Sequence, residues 1–499
     1  MKDRRPKPWP ETNRQQRTRY VWRFEDQKYR TLYYDDPEEA RADATTQITE
    51  LIQGTWRDRS GPRMPLEEWI DVWASMLGDI EPTTLAKYKY FVEGHILPQF
   101  QGRQLGSLTF EEIEQWEAGI TKRISERGRP YARSVAVSAR SLLITVLGDA
   151  VHAKKITSNP AERRRGRRGR VRVSGRTAST AVQQTSNVIT PFQALCVAER
   201  CALLSGRDTD FVMNVFAAWT GVRWGELLAV EGGNPADAPL HMVKDGISTY
   251  ALDWQLRELG GVVRKSAPKD GSYRVLDLPP FLAGLMQWAV DNRADKCSCP
   301  QADGRPACKG EDRTPASYLF LGPKGGHPRR SNYADDFLTP AAEGLHPVRN
   351  GTRRPVYVKS EPWPGIPIRR TKKAADRADG TWPNLTGHLK PHDYRHTHAT
   401  WLEDAGLSKV IQMDRRGHAM PGMDRVYTHV TVEMRQRLCE VLEDLWQNAL
   451  QERQAISARS NVPLLDQALN ERESQPERDL APQSAPQRPE RSPSREAEP

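Results

Sequence analysis

Apolar residues recur at helical spacing over two long stretches of this chain and at strand spacing only in short ones. In LEEWIDVWASML, the residues Leu66, Trp69, Ile70, Trp73, Met76 and Leu77 follow i, i+3, i+4, i+7 spacing, which predicts a helix with one buried face. TLAKYKYFVEGHIL, FEEIEQWEAGI and SVAVSARSLLITVLGDAVHA extend the helical pattern to residue 157. Thr83 or Thr84 caps the first of these, and Thr109 with Glu112 forms a capping box for the second. Four such helices suffice for a compact domain. Upstream, YVWRFEDQKYRTLYYDD alternates aromatic and polar side chains about Glu25 to Lys28, the period-two mark of paired strands. A helix then starts at Asp36 (N-cap) and Pro37 and runs to Gly54. Apolar periodicity resumes at Pro191, with Thr190 as cap, and continues to about residue 447.

The interruptions define the organisation. Residues 1–19 form a basic arm without period, and 161–187 form a linker whose stretch ERRRGRRGRVRVSGR holds eight Arg against one Glu. Two stretches rich in Gly, Pro and charge, 292–316 and 345–385, are expected to be surface insertions. From 451 to 499 the chain turns to Gln, Glu, Arg, Ser and Pro and is expected to be disordered. The expected domains are therefore 1–65, 66–160 and 188–450, with fold class mainly α with small β elements. The apolar positions of MRQRLCEVLEDLW either pack on their own domain or dock on a neighbouring protomer.

Charge sharpens this division. The 499 residues carry 74 Lys and Arg against 64 Asp and Glu, a formal +10, of which residues 162–176 supply +7. A polyanionic partner is implied, and the basic stretch is where it would be felt. No apolar run reaches the length of a membrane span and the start has no signal-peptide core, so a soluble, cytoplasmic protein is expected. Six cysteines, at 196, 201, 297, 299, 308 and 439, are too scattered for a disulfide scaffold. Cys297, Cys299 and Cys308 with His327 leave a zinc site open, although their spacing departs from C-x2-C pairs.

Five short stretches carry reactive side chains. TGVRWGELLAV places Arg223 and Glu226 on one face of a starting helix, where a solvated ion pair is the ordinary reading. PKDGSYRVLDLP reads as a hairpin with Lys269 at its turn; Lys265 and Lys244 are the other lysines of this region. LKPHDYRHTHATWLEDAG holds His392 and Arg395 one helical turn apart. His396, His398 and His418 lie close by, but no carboxylate joins them at metal-ligand spacing. Gly417 and His418 precede a chain reversal at Pro421 and Gly422, and Tyr427 follows His418 by nine residues.

In this order the stretches resemble the tyrosine recombinase (phage integrase) family, in particular integrases of actinobacterial phages and mobile elements. The resemblance implies three parts: an N-terminal three-stranded-sheet-plus-helix arm-binding module, a helical core-binding domain at 66–160, and a tyrosine recombinase catalytic domain at 188–450. It implies the catalytic set Arg223, Lys269, His392, Arg395, His418 and Tyr427, supported by Glu226, with no cofactor and no metal. Its partners would be double-stranded DNA attachment sites, three further copies forming a tetramer on DNA, and an accessory DNA-bending or excision factor. Arg163, Arg164, Arg165, Arg167, Arg168 and Arg170 are the candidate DNA contacts of the linker. Two departures stand out: Arg416 precedes Gly417 where an apolar residue is usual, and Tyr394 replaces a common Leu.

These residue types suit phosphoryl transfer. Guanidinium forks bind two phosphate oxygens and stay charged at any working pH. A phenol near pKa 10 needs a base or a positive field to attack phosphorus, and the departing 5'-oxygen needs a proton. The resemblance thus implies cleavage and rejoining of DNA through a 3'-phosphotyrosine, without ATP. A type IB topoisomerase-like enzyme and a non-catalytic DNA-binding regulator are the rival readings.

Overall fold

A computed structural model of the chain describes residues 9–12, 18–21, 33–53, 61–78, 80–126, 128–163, 187–232, 242–292, 301–302, 305–306, 318–349, 351–369, 371, 373–418 and 429–474. It divides into two compact units, residues 1–175 and 176–499.

In the first unit, strands β1 (Trp9–Thr12), β2 (Thr18–Val21) and β3 (Tyr33–Tyr34) form an antiparallel sheet in that order, followed by helix α1 (Pro37–Ile52). Helices α2 (Leu66–Met76), α3 (Pro82–Phe91), α4 (Leu97–Phe100), α5 (Phe110–Ile120) and α6 (Arg133–His152) enclose a separate core. The periodicity of α2 is realised over its first two turns, where Leu66, Trp69, Ile70 and Trp73 are buried, but Met76 is exposed. Each indole finds a partner, Trp69 Nε1 donating to the Val146 carbonyl at 2.8 Å and Trp73 Nε1 to Asp149 at 2.7 Å. That satisfies the polar end of a large buried ring. Thr109 and Glu112 form the expected capping box of α5. Among the described residues, α6 is the one helix long and apolar enough to cross a membrane, and its apolar side lies in this core, with Leu143, Val146 and Leu147 fully buried.

In the second unit, α7 (Pro191–Ser205) and α8 (Asp208–Thr220) lie at the centre. The capping box of Thr190 and Gln193 starts α7, and Gly221, at φ 64°, ends α8 in the left-handed conformation that a residue without Cβ adopts readily. After the short α9 (Trp224–Leu228), strands β4 (Met242–Lys244), β5 (Ile247–Leu252), β6 (Gln255–Leu259), β7 (Val262–Ser266) and β8 (Arg274–Leu278) make two small sheets, β4-β5-β8 and β6-β7. Helix α10 (Pro280–Asp291) and the paired strands β9 (Gln301–Ala302) and β10 (Arg305–Pro306) follow. Next come α11 (Arg330–Tyr333) and α12 (Thr339–Glu343).

Residues 345–385 are not a bare surface loop. They form the hairpin β11 (Leu345–Arg349) with β12 (Thr352–Pro355), and a sheet of β13 (Tyr357–Lys359), β14 (Ile366–Pro367) and β15 (Gly380–Thr381), with α13 (Ala374–Arg377) between the last two strands. Their own core is Val356, Val358 and Trp382, covered by Leu203 and Leu204 of α7. Buried Arg200 fastens them, donating to the carbonyls of Ala341 and Pro383 and lying 4.9 Å from the Trp382 ring.

Helices α14 (Asp393–Asp404), α15 (Lys409–Arg416), α16 (Val432–Ile456) and α17 (Pro463–Ser474) complete the unit. Trp219 is the hub of the core, with Trp401, Trp446 and Phe281 within 6 Å of its ring. Leu438, Leu442, Trp446 and Leu450 of α16 pack in this core, so the helix after Tyr427 covers its own domain. The expectation of disorder from 451 is corrected as far as Ser474. Arg453 is fully buried against Glu199 at 2.8 Å, and Val462, Leu465 and Leu469 join the main core. An uncompensated buried charge is costly, so this pair holds the helical tail to α7.

Candidate active site

Arg223 follows Gly221 and stands at the N-cap of α9. Its backbone N–H donates to Glu226 at 2.8 Å, while its Nη1 donates to Glu226 Oε1 at 2.7 Å and to Ser272 Oγ at 3.0 Å. This is no solvated pair, because Glu226 is fully buried. The same carboxylate accepts from Arg274 Nη1 at 3.2 Å and Nη2 at 2.7 Å. Burial alone would raise the Glu226 pKa, but the hydrogen bonds and charge of Arg274, joined by Arg223, outweigh it and hold the group below its ordinary value. Gly225 is required here, since a Cβ would stand 2.6 Å from the Leu256 carbonyl oxygen.

His392 precedes α14, and the Lys390 N–H donates to Asp393 at 2.9 Å, placing a buried carboxylate in the helix's first turn. One turn on, Arg395 is buried and donates from Nη1 to the Gly221 carbonyl at 2.9 Å. Its Nη2 donates to the Arg416 carbonyl and to His418 Nε2, the latter at 2.9 Å. A guanidinium only donates, so Nε2 of His418 accepts and the ring is the neutral Nδ1–H tautomer. Loss of solvation, then Arg395 and Arg416, pushes His418 down to about 4. Burial, then Arg223 and Arg274, pushes Arg395 down to about 9. His392 lies at the rim with its ring edge-to-face on His396, centroids 5.0 Å apart. Desolvation, then His396 and Arg395, lowers its pKa as well.

The structure thus brings Arg223, Glu226, Arg395 and His418 together, with His392 at the edge. Lys269 is exposed, in the turn Lys269–Gly271. That turn departs from the expected hairpin. The local hairpin is β6-β7, reversed by Gly260 and Gly261 at φ 58° and 79°, whereas β8 pairs with β5, so Lys269 joins two sheets. Register still discriminates among the lysines. Arg274 pairs with Leu252 at one end of β8, next to Ser272 and Arg223, while Lys244 lies by the β4-β5 turn at the other end, where Leu278 pairs with Ser248. Lys265 is engaged elsewhere, 2.6 Å from Glu231 and 4.6 Å from the Trp254 ring.

Tyr427 lies outside the described residues, as do Arg164, Arg165, Arg167, Arg168, Arg170, Cys297, Cys299 and Cys308. Arg163 is described and is not a free cation: it bonds Glu114 and Glu117, which also hold buried Arg140. His327 is buried edge-to-face on Tyr318.

Three positioning residues escaped the motif reading. Arg274 joins Glu226 to the Arg415 carbonyl, to which its Nε donates at 2.8 Å. Arg415 is buried and donates to His398 Nε2, the Asp277 carbonyl and the Trp219 carbonyl, which fixes the backbone just before His418. Asn214 explains the departure at Tyr394: its amide oxygen accepts from the Tyr394 hydroxyl at 3.0 Å and its amide nitrogen donates to Tyr333 at 2.7 Å. The other departure, Arg416, folds back onto its own helix, donating to the Gln412 carbonyl at 3.0 Å.

The chain is similar to known proteins in sequence and in structure. Residues 66–118 match the family described as phage integrase, N-terminal SAM-like domain. The chain is 25% identical over 416 residues to the putative prophage phiRv2 integrase of Mycobacterium tuberculosis, covering 82% of this chain and 87% of the relative. Similar solved structures include a Tn1549 transposon integrase in complex with transposon right end DNA, at 16% identity and a TM-score of 0.46, covering 76% of this chain and all of that one. A lambda integrase dimer bound to a core site aligns at 15% identity and a TM-score of 0.37, over 87% of this chain and 99% of that one.

Proposed function

We propose that this chain is a site-specific DNA recombinase of the tyrosine class, an integrase that cleaves and rejoins DNA to integrate or excise a mobile element. The observation that carries the reading is the clustering of Arg223, Arg395 and His418, with the buried carboxylate Glu226 bonded to Arg223 and Arg274. That cluster can cradle a phosphodiester, and fixed donors aimed at developing charge supply the largest catalytic contribution. The phenolic oxygen of Tyr427 bonds to phosphorus as the bond to the 5'-oxygen breaks. His392 takes the phenol's proton, and Lys269 gives one to the departing 5'-oxygen. The bond energy is kept in the phosphotyrosine, so a 5'-hydroxyl reverses the step. Glu226 orients the guanidiniums and transfers no proton.

The sheet and helix at 9–52 would bind arm sites, the helical domain at 66–160 the core site, and the basic linker the phosphates between. Synapsis of two duplexes would require a tetramer on DNA, with an accessory factor setting direction.

The test is a nicked duplex carrying the junction sequence of the element. Wild type should form a covalent adduct and exchange strands between two duplexes, and Tyr427→Phe should bind but form none. An adduct with Tyr427→Phe would sink the mechanism. Relaxation of a single supercoiled duplex without exchange would favour the topoisomerase-like reading, and binding without any adduct would favour a regulator.

A further inference from the structure

One residue of β8 holds both flanks of the stretch that contains Tyr427. On the upstream side, the Asp277 carbonyl accepts from Arg415 Nη1 at 2.9 Å, two residues before Gly417. On the downstream side, the Asp277 carboxylate accepts from Arg435 Nε at 3.0 Å and Nη2 at 2.6 Å, in the first turn of α16. Asp277 is itself fixed by pairing with Thr249 of β5. The start of α16 is independently set by Thr431, whose side chain accepts from the Met434 N–H at 3.2 Å. Arg435 reaches further to Asp245 at 2.7 Å. Both side chains of the central pair are largely enclosed, 13% exposed for Arg435 and 8% for Asp277. A buried ion pair adds little net stability over an apolar pair of equal volume, and its best attested use is to fix register.

We propose that Asp277 is a positioning residue for strand cleavage: by holding Arg415 and Arg435 at once, it sets the distance between the two ends of the Tyr427 stretch and so the reach of Tyr427 to the phosphate. This rests on Tyr427 being the nucleophile. Attack is sensitive to such placement, because a displacement of about 1 Å can cost about a hundredfold in rate.

The full-length chain is tested with a nicked duplex of the junction sequence, following the adduct rate constant and, separately, the noncovalent affinity by gel shift. Asp277→Asn should slow adduct formation roughly 10- to 100-fold with affinity within about twofold of wild type. Arg435→Gln should do the same, the double variant should be no slower than either single one, and Asp277→Glu should recover part of the rate. A purely structural role would instead lower affinity and active fraction together. Should Asp277→Asn fail to fold, Arg435→Gln against Arg435→Lys carries the comparison, with the lysine variant faster. An unchanged adduct rate in a folded Asp277→Asn or Arg435→Gln overturns the inference alone. Absence of an adduct with wild type overturns the nucleophile reading and this inference with it.

Discussion

Replacing Glu226 by Gln removes one charge and almost no volume, so its effect isolates the electrostatic part of the cluster. The carboxylate accepts four hydrogen bonds, two from Arg223 and two from Arg274. The Glu226 side chain is 0% and that of Arg274 3% exposed, so water cannot take over the lost role. Breaking a buried pair on one side costs about 3–5 kcal/mol, and a glutamine also points N–H donors at guanidinium donors. At about 2–4 °C per kcal/mol for a large domain, the second unit should melt roughly 6–20 °C lower. The pH dependence has a definite sign. The Glu226 carboxyl is held below its ordinary 4.5, so the charged form stabilises the fold fully above that value, and the contribution is lost as pH falls through the folded value. The gap between wild type and Glu226→Gln should therefore be constant from about pH 6 to 8 and narrow below about 4.5. Thermal melts followed by circular dichroism across pH 3.5 to 8 measure it. A gap under about 2 °C at pH 7, or one that widens on acidification, would refute the assignment of Glu226 as the counter-charge that organises the cluster.

Three further outcomes follow from the same geometry. Lys269→Ala should slow cleavage about 10²- to 10⁴-fold without changing the melting temperature, and a 5'-bridging sulfur leaving group, which needs no proton, should restore the rate. Lys265→Ala should instead cost stability through Glu231 and leave cleavage measurable; a reversal of the two phenotypes would exchange their roles. Gly417→Ala should destabilise by at least about 2 kcal/mol in urea unfolding. Its φ is 63° and a Cβ would stand 3.0 Å from both Arg274 Nη1 and Ser272 Cβ, and a neutral substitution would contradict that packing. His418 should titrate near 4 by NMR without DNA, and inorganic phosphate should raise that midpoint by drawing off the Arg395 donors; a midpoint indifferent to phosphate would show that the cluster does not receive the anion.

The grouping of Arg223, Arg395 and His418, with His392 at its edge, was legible because the proposed phosphoryl transfer calls for such side chains and the motifs carry them in order. Arg274 was not, because its partners Glu226 and Arg415 lie 48 and 141 residues away and nothing within RVLDL marks the arginine as buried. The β6-β7 hairpin was missed for a different reason: Gly260 and Gly261 are the stronger turn pair, but Asp270 and Gly271 offered turn chemistry closer to the lysine of interest. The stretch at 345–385 hides its fold because its own core cluster is small, Val356, Val358 and Trp382, and takes its cover from Leu203 and Leu204. In the tail the signal existed. Val462, Leu465 and Leu469 keep helical spacing, and the polar composition around them masked a narrow apolar stripe.

The lowered pKa values of Arg395, His418 and His392 share two causes, burial first and neighbouring cations second. Arg223 and Arg274 share Glu226, and Arg274 also donates to the carbonyls of Ser272 and Arg415, so its donors are turned inward although its charge still bears on Arg395 and His418. Arg395 is treated differently. Its hydrogen bonds go to two neutral carbonyls and a neutral imidazole, which satisfy its geometry without cancelling its charge. Lost solvation is the largest cause of the low values of Arg395, near 9, and His418, near 4, and of the lowered His392, and the excess positive charge adds to it in each case. Every one of these shifts disfavours a cation, so each is relieved by an arriving anion, and His418 gains a second N–H donor only if it is protonated as that anion binds. The same field lowers the energy of a phenolate. A protein that kept Arg395 on a carboxylate would be more comfortable empty and worse at receiving a phosphodiester; holding it on carbonyls leaves the charge for the ligand.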